Sequence, residues 1–130
     1  MDILPSQMIK VIDIKDKGRG VIATKEIKSG EIIEICPILF ISKTEADFVK
    51  DKSDILKFYC LEETSNNKSC LMLGYGSIYN HSENPNAEID YNEGKQEDFL
   101  FFKAIKDIKI GEEIVYNYEF DDNKVEFLEQ

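Results

Sequence analysis

The chain has 130 residues, of which 42% are apolar and 32% charged, a balance that excludes a disordered segment and fits one globular domain. Its 26 acidic residues against 16 basic ones give a net charge of −10. That lacks the basic footprint of direct nucleic-acid binding and suits a basic partner such as a lysine-rich peptide, although acidity serves solubility as well. The three cysteines, Cys36, Cys60 and Cys70, show neither C-x-x-C spacing nor an even count, which argues against a metal site or a disulfide framework and for buried free thiols in a reducing compartment.

The N-terminal stretch "MDILPSQMIK" has no basic segment followed by an apolar run, and the longest apolar runs, "PILFI" and "FLFF", fall far short of a membrane span. The expectation is an intracellular protein, with nucleus and cytoplasm not distinguished. Residues 8–36 and 86–116 read as strands. "IKVIDIK" alternates apolar and polar side chains, and "GVIAT", "EIIEI", "ILFIS" and "DFLFFKA" are short, β-branched or aromatic, and bounded by Gly, Pro or charged turns. Residues 44–63 break the habit: Ala46, Val49, Ile55, Leu56 and Tyr59 fall at roughly helical spacing, with Thr44 as N-cap and an interruption near Ser53. "CLML" then returns to apolar chain, and no linker divides the sequence.

Two segments echo each other. "ATKEIKSGEIIEI" (23–35) and "AIKDIKIGEEIVY" (104–116) share A-x-K-[D/E]-I-K-x-G-E-x-I without a gap, which predicts two similar strand–turn–strand units turning at Gly30 and Gly111. Without a third copy this is not a solenoid.

Three stretches carry chemistry. "DKGRGVIAT" (16–24) puts Gly18 and Gly20 around Arg19 before a strand; G-x-G alone is more often a turn than a site. "GYGSIYNHSENPNAEID" (74–90) holds the only histidine, His81, in a run of loop-forming residues, and a lone imidazole builds no metal site. "GEEIVYNYEFDD" (111–122) carries Tyr116 and Tyr118 two apart, hence on one face of a strand, as a half-buried aromatic pair or as the lining of a narrow polar-tipped channel.

In order, G-R-G-V, N-H-S-x-x-P-N-A and G-E-E-I-x-Y-x-Y resemble the SET-domain protein lysine methyltransferases, over about residues 9–120 and most specifically in N-H-S-x-x-P-N-A. The run "LGYGSIYNHS" looks like the smallest stand-alone, viral-type members. The resemblance implies a mainly β, β-clip-like SET fold: short strands in several small sheets, a short helical insert and a knot-like C-terminal threading. It implies one domain over 1–130, with a core of about 9–120 and a short tail over 121–130. It implies S-adenosyl-L-methionine as cofactor, with Gly18, Arg19, Gly20, Asn80 and His81 binding it. A lysine of a basic protein, such as a histone, would be the methyl acceptor. Tyr118 would be catalytic, Tyr116, Tyr79 and Phe120 would line the lysine channel, and no metal would be needed. Tyr116, where the family varies between phenylalanine and tyrosine, implies mono- or dimethylation.

The sequence departs from the family in places. Zinc-binding cysteine clusters are missing, and Ser77, Glu83 and Asn117 stand where arginine, cysteine and aspartate are common. The segment after Tyr118, "EFDDNKVEFLEQ", replaces a cysteine-rich cover, so Phe120, Phe127 or a second subunit in a homodimer would close the channel. The acidic stretches 88–98 and 119–122 are docking candidates. The alternatives are a SET-fold module that binds a basic peptide without methyl transfer, and a β-rich interaction protein without a cofactor.

Overall fold

Nine strands and one α-helix make up the computed structural model over the residues it describes, which are 2–63, 68–90 and 98–118. Strands β1 (Ile9–Ile14) and β2 (Gly18–Ala23) form an antiparallel hairpin, with Ile14 opposite Gly18. Its tip needs two left-handed residues, Asp16 at φ 69° and Gly18 at φ 83°. The main sheet has five antiparallel strands in the order β4-β5-β3-β8-β7, drawn from β3 (Ile32–Ile41), β4 (Cys60–Glu63), β5 (Lys68–Met72), β7 (Ala87–Asp90) and β8 (Phe99–Ala104). The last sheet is a two-residue parallel pair of β6 (Asn80–His81) and β9 (Val115–Tyr116). This is the mainly β architecture of small sheets that the sequence predicts, and the β6–β9 pair joins the C-terminal segment to residues 80–81.

The expected strands "EIIEI" and "ILFIS" are one strand, β3. Pro37 sits where β3 changes partners: Ile32 to Pro37 face β8, and Ile38 to Ile41 face β5. A proline lacks a ladder donor, and a change of partner is a place where that donor is not needed. The helix α1 (Lys43–Lys52) is capped by Ser42, not by Thr44. Ser42 Oγ accepts from the Glu45 N–H at 3.1 Å while Glu45 Oε1 accepts from the Ser42 N–H at 3.3 Å, a reciprocal box that begins directly where β3 ends. Helical character also stops sooner than expected. After Ser53 comes only a 3-10 turn, Leu56–Tyr59, and residues 60–63 are the edge strand β4. Tertiary pairing with β5 overrides the helical spacing there.

The echoed segments pair with each other. Ile27 and Ile108, both fully buried, exchange two backbone hydrogen bonds at 2.9 and 2.8 Å. Around them the bonds repeat in kind: the Gly30 N–H donates to the Ala104 carbonyl and the Gly111 N–H to the Ala23 carbonyl, at 2.8 and 2.9 Å. Glu31 and Glu112 each cap their own turn by accepting from the Lys28 and Lys109 N–H groups. Two similar units thus close a pseudo-two-fold joint, and their turn glycines adopt φ 91° and 86°. Val21, Cys36, Phe102 and Ile114 join Ile27 and Ile108 in the fully buried core. Cys36 and Cys70 are buried, and Cys60's side chain is outside the described set.

A Cβ at Gly30 or Gly111 meets open space, so only backbone conformation resists it. Gly30→Ala and Gly111→Ala should each destabilise by about 1–2 kcal/mol, the cost of a left-handed L-residue, and by similar amounts. Urea denaturation should show equal falls in midpoint without a change of slope.

Candidate active site

Residues 80–86 return to the C-terminal segment at one place. Parallel pairing sets Asn80 against Val115 and His81 against Tyr116. The Ser82 N–H donates to the Tyr116 carbonyl at 3.1 Å and the Asn86 N–H to the Val115 carbonyl at 3.2 Å. Asn86, buried, clamps the crossing with its side chain: Oδ1 accepts from the Val115 N–H at 2.9 Å and Nδ2 donates to the Glu113 carbonyl at 2.8 Å. A side-chain amide can serve a donor and an acceptor of a neighbouring strand at once, as a backbone peptide does.

Asn80 faces the hairpin. Its Nδ2 donates to the Arg19 carbonyl at 3.2 Å and to Glu113 Oε2 at 2.6 Å, while Glu113 Oε1 holds Lys17 Nζ at 2.9 Å. Gly20 allows a close approach, since a Cβ there would lie 2.3 Å from Ile14 Cδ1 and 2.9 Å from Asn80 Nδ2, and those side-chain ends would have to shift. The two glycines of G-R-G therefore have different reasons: Gly18 for its backbone angle, Gly20 for close approach.

His81 Nδ1 accepts from the Tyr118 N–H at 3.0 Å, and the two rings meet edge to face at 5.1 Å. As acceptor, Nδ1 carries no proton, so the neutral ring holds its hydrogen on Nε2. The Tyr118 hydroxyl donates to the Tyr79 carbonyl. The Tyr116 and Tyr118 rings lie 4.7 Å apart on one side of the strand, as their spacing predicts.

A cavity of about 420 Å³ gathers these groups. Arg19, Asn80, Tyr116 and Tyr118 line it, with Lys17, Asp54 and Tyr59 adding polar tips and Ile55, Met72 and Ile78 apolar walls. His81 does not line it and reaches the site through the Tyr118 backbone. Tyr79, expected in the lysine channel, does not line this cavity. Its ring is buried, packed on Phe102 at 4.7 Å, and its hydroxyl donates to Glu34 Oε1 at 2.7 Å in the core, so only its carbonyl turns toward Tyr118. Phe120, Phe127 and most of the two acidic docking stretches lie outside the described residues. Glu113, Asn86, Glu34 and Tyr59 went unassigned in the sequence. Glu113 had a signal in G-E-E-I, but its partners Lys17 and Asn80 are distant in the chain.

Burial pushes the Tyr118 phenol up to about 12, with the neighbouring Tyr59 and Glu113 acting in the same direction. The Tyr79 phenol also stands well above its usual 10, chiefly through burial and then the Glu34 charge beside it. Both stay neutral at physiological pH. Glu34 is raised as well, by burial, against hydrogen bonds from Tyr79 and Tyr75 that favour its ionised form.

The SET-domain profile matches residues 18–119, and this chain belongs to the SET-domain family. It is 31% identical over 110 residues to the histone-lysine N-methyltransferase, H3 lysine-37 specific, of Schizosaccharomyces pombe, covering 85% of this chain and 72% of that one. It is 27% identical over 124 residues to the N-lysine methyltransferase KMT5A of Xenopus tropicalis, covering 85% of this chain but 35% of the relative. Among solved structures, a proposed histone methyltransferase of Plasmodium falciparum superposes with a TM-score of 0.69 at 31% identity, over 94% of this chain and all of that one. The Neurospora SET-domain protein DIM-5, a histone lysine methyltransferase, shares the fold with a TM-score of 0.68 at 24% identity, over 87% of this chain and 52% of that one. Among the described residues no helix is long and apolar enough to cross a membrane.

The raised phenols give a sign. The folded state keeps two protons that an unfolded tyrosine loses near pH 10, so stability is lost as pH rises from about 10 towards 12. In an alkaline absorbance titration at least two of the six tyrosines should ionise only together with unfolding.

Proposed function

We propose that this protein transfers a methyl group from S-adenosyl-L-methionine to a lysine ε-amine of a basic protein, histones being the representative class. We also propose that about residues 9–120 act as one catalytic domain. The observation that carries the reading is the convergence of the G-R-G hairpin, Asn80, Tyr116 and Tyr118 on one cavity. The relatives' names supply the reaction class.

The cavity fits the cofactor's chemistry. Its volume lies within the range of small-molecule sites, roughly 300–1,000 Å³. Arg19 offers a guanidinium suited to a carboxylate, Asp54 a carboxylate suited to an amine, and Ile55 and Ile78 apolar walls. Arg19, Asn80 and the backbone of Gly18 to Gly20 would hold S-adenosylmethionine, with Ser77 at the wall where relatives use arginine. When bound, it supplies a methyl group on a positively charged sulfur.

The protein's own part is positioning and proton control. A lysine amine near pKa ~10.4 must lose its proton before it attacks, and a partly apolar cavity disfavours the charged form. Tyr118 is too weak an acid to ionise at physiological pH. Its hydroxyl hydrogen is committed to the Tyr79 carbonyl, so its oxygen meets the incoming amine as an acceptor. That fixes the nitrogen in line, where orientation is worth most. Tyr116 narrows the same space and favours mono- or dimethylation. His81 acts one step back, by holding the Tyr118 backbone.

Calorimetric titration with S-adenosylmethionine should give saturable one-to-one binding, at least tenfold weaker in Asn80→Ala; a well-folded protein that binds nothing would contradict the assignment. Removing the Tyr118 hydroxyl takes away one positioned polar group, and such losses cost about 10²–10³ in rate. Tyr118→Phe should therefore cut transfer to core histones about that much while keeping cofactor affinity. Full activity in that variant rules out the role. Mass spectrometry of the wild-type product should show mono- and dimethyl-lysine, and a mainly trimethylated product would refute the reading of Tyr116.

A further inference from the structure

Glu34 is a carboxylate on β3 with only 5% of its surface exposed, and it does not line the active-site cavity. An apolar residue of similar volume would spare the desolvation cost, so stability alone does not account for a buried acid here. Its bonds are informative. Oε1 accepts from the Tyr79 hydroxyl and Oε2 from the Tyr75 N–H, each at 2.7 Å. One carboxylate thus grips the 74–79 turn at two points. The turn makes room for it, since a Cβ at Gly74 would fall 2.4 Å from Glu34 Oε2.

That turn is a thin partition. Ser77 and Ile78 line the active-site cavity on one side and, on the other, a second cavity of about 460 Å³ that Glu34 itself borders. At the end of the turn Tyr79 is held at both poles. Its hydroxyl is on Glu34, its ring packs against both Phe102 and Tyr116, and its carbonyl receives the Tyr118 hydroxyl.

Resting on the methyl-transfer reading above, we infer that Glu34 is a positioning residue for Tyr118, fixing through Tyr79 the carbonyl that aims the Tyr118 hydroxyl. Loss of the Glu34–Tyr79 bond frees the Tyr79 side chain to rotate, and with it the peptide that carries the carbonyl. The Tyr118 hydroxyl then loses its aim without any change in the residues that hold the cofactor.

The test uses the full chain, with Glu34→Gln and Tyr79→Phe removing opposite ends of the same bond. Both variants should lower kcat for transfer from S-adenosylmethionine to core histones about tenfold or more, the scale at which misplacement of a reacting group acts, with KM for S-adenosylmethionine within about twofold. With ¹³Cζ-tyrosine labelling, the Tyr118 resonance should shift in both. Should Glu34→Gln fail to fold, Tyr79→Phe, which conserves volume, carries the test alone. An unmoved Tyr118 resonance in a folded variant overturns the inference whether or not the wild type transfers methyl groups, and so does a shifted resonance with unchanged kcat. A wild type that transfers nothing while its variants show the shift overturns the functional reading instead.

Discussion

The parallel pairing of Asn80–His81 with Val115–Tyr116 is the constraint on which the rest of this site depends. Two residues of ladder are too little to hold strands so distant in sequence. Asn86 completes the joint by lending its amide to both the Val115 N–H and the Glu113 carbonyl. Because the pairing is parallel and in this register, Glu113 falls beside Asn80 and the Tyr118 amide falls beside His81. A slip of one residue would turn Tyr116 and Tyr118 away from the cavity, since side chains alternate along a strand. The polar residues of 80–86 are thus primarily a lock on register, and the cavity is what that lock leaves open.

The pseudo-two-fold joint around Ile27 and Ile108 serves the same end from below. It ties the chain just after the hairpin to the chain just before Glu113, so the hairpin tip and the C-terminal strand approach as one unit. The Glu113–Lys17 ion pair then links the two directly. Exposed pairs of this kind contribute little to stability, but here one partner is largely covered and also orients Asn80.

The electrostatics divide the site into two layers. Near the cavity, burial keeps Tyr118 a neutral phenol, an acceptor and donor of hydrogen bonds. Behind it, Tyr79 and Glu34 form a buried polar pair that faces the core. Such a pair is costly unless every group is satisfied, and among the described residues no buried side-chain polar atom lacks a partner. A satisfied buried network resists rearrangement, which is what the proposed alignment of the methyl acceptor needs.

Much of this was legible in the sequence. Short β-branched or aromatic runs marked β1, β2 and β8, the paired K-x-G-E turns marked the joint, and the order of G-R-G, N-H-S-x-x-P-N-A and G-E-E-I-x-Y-x-Y identified the family and brought Arg19, Asn80, Tyr116 and Tyr118 into one hypothesis. Local chemistry sufficed for these because each signal is a residue type with one steric or hydrogen-bonding habit. The direction of Tyr79, the roles of Glu34, Asn86 and Glu113, and the continuity of β3 through Pro37 were decided only by tertiary structure. Their partners lie tens of residues away, and a side chain's hydrogen bond depends on which strand arrives beside it. Spacing in the chain put the two phenols on one face; only the crossing of strands determined that Tyr79 offers its carbonyl to the site and its side chain to the core.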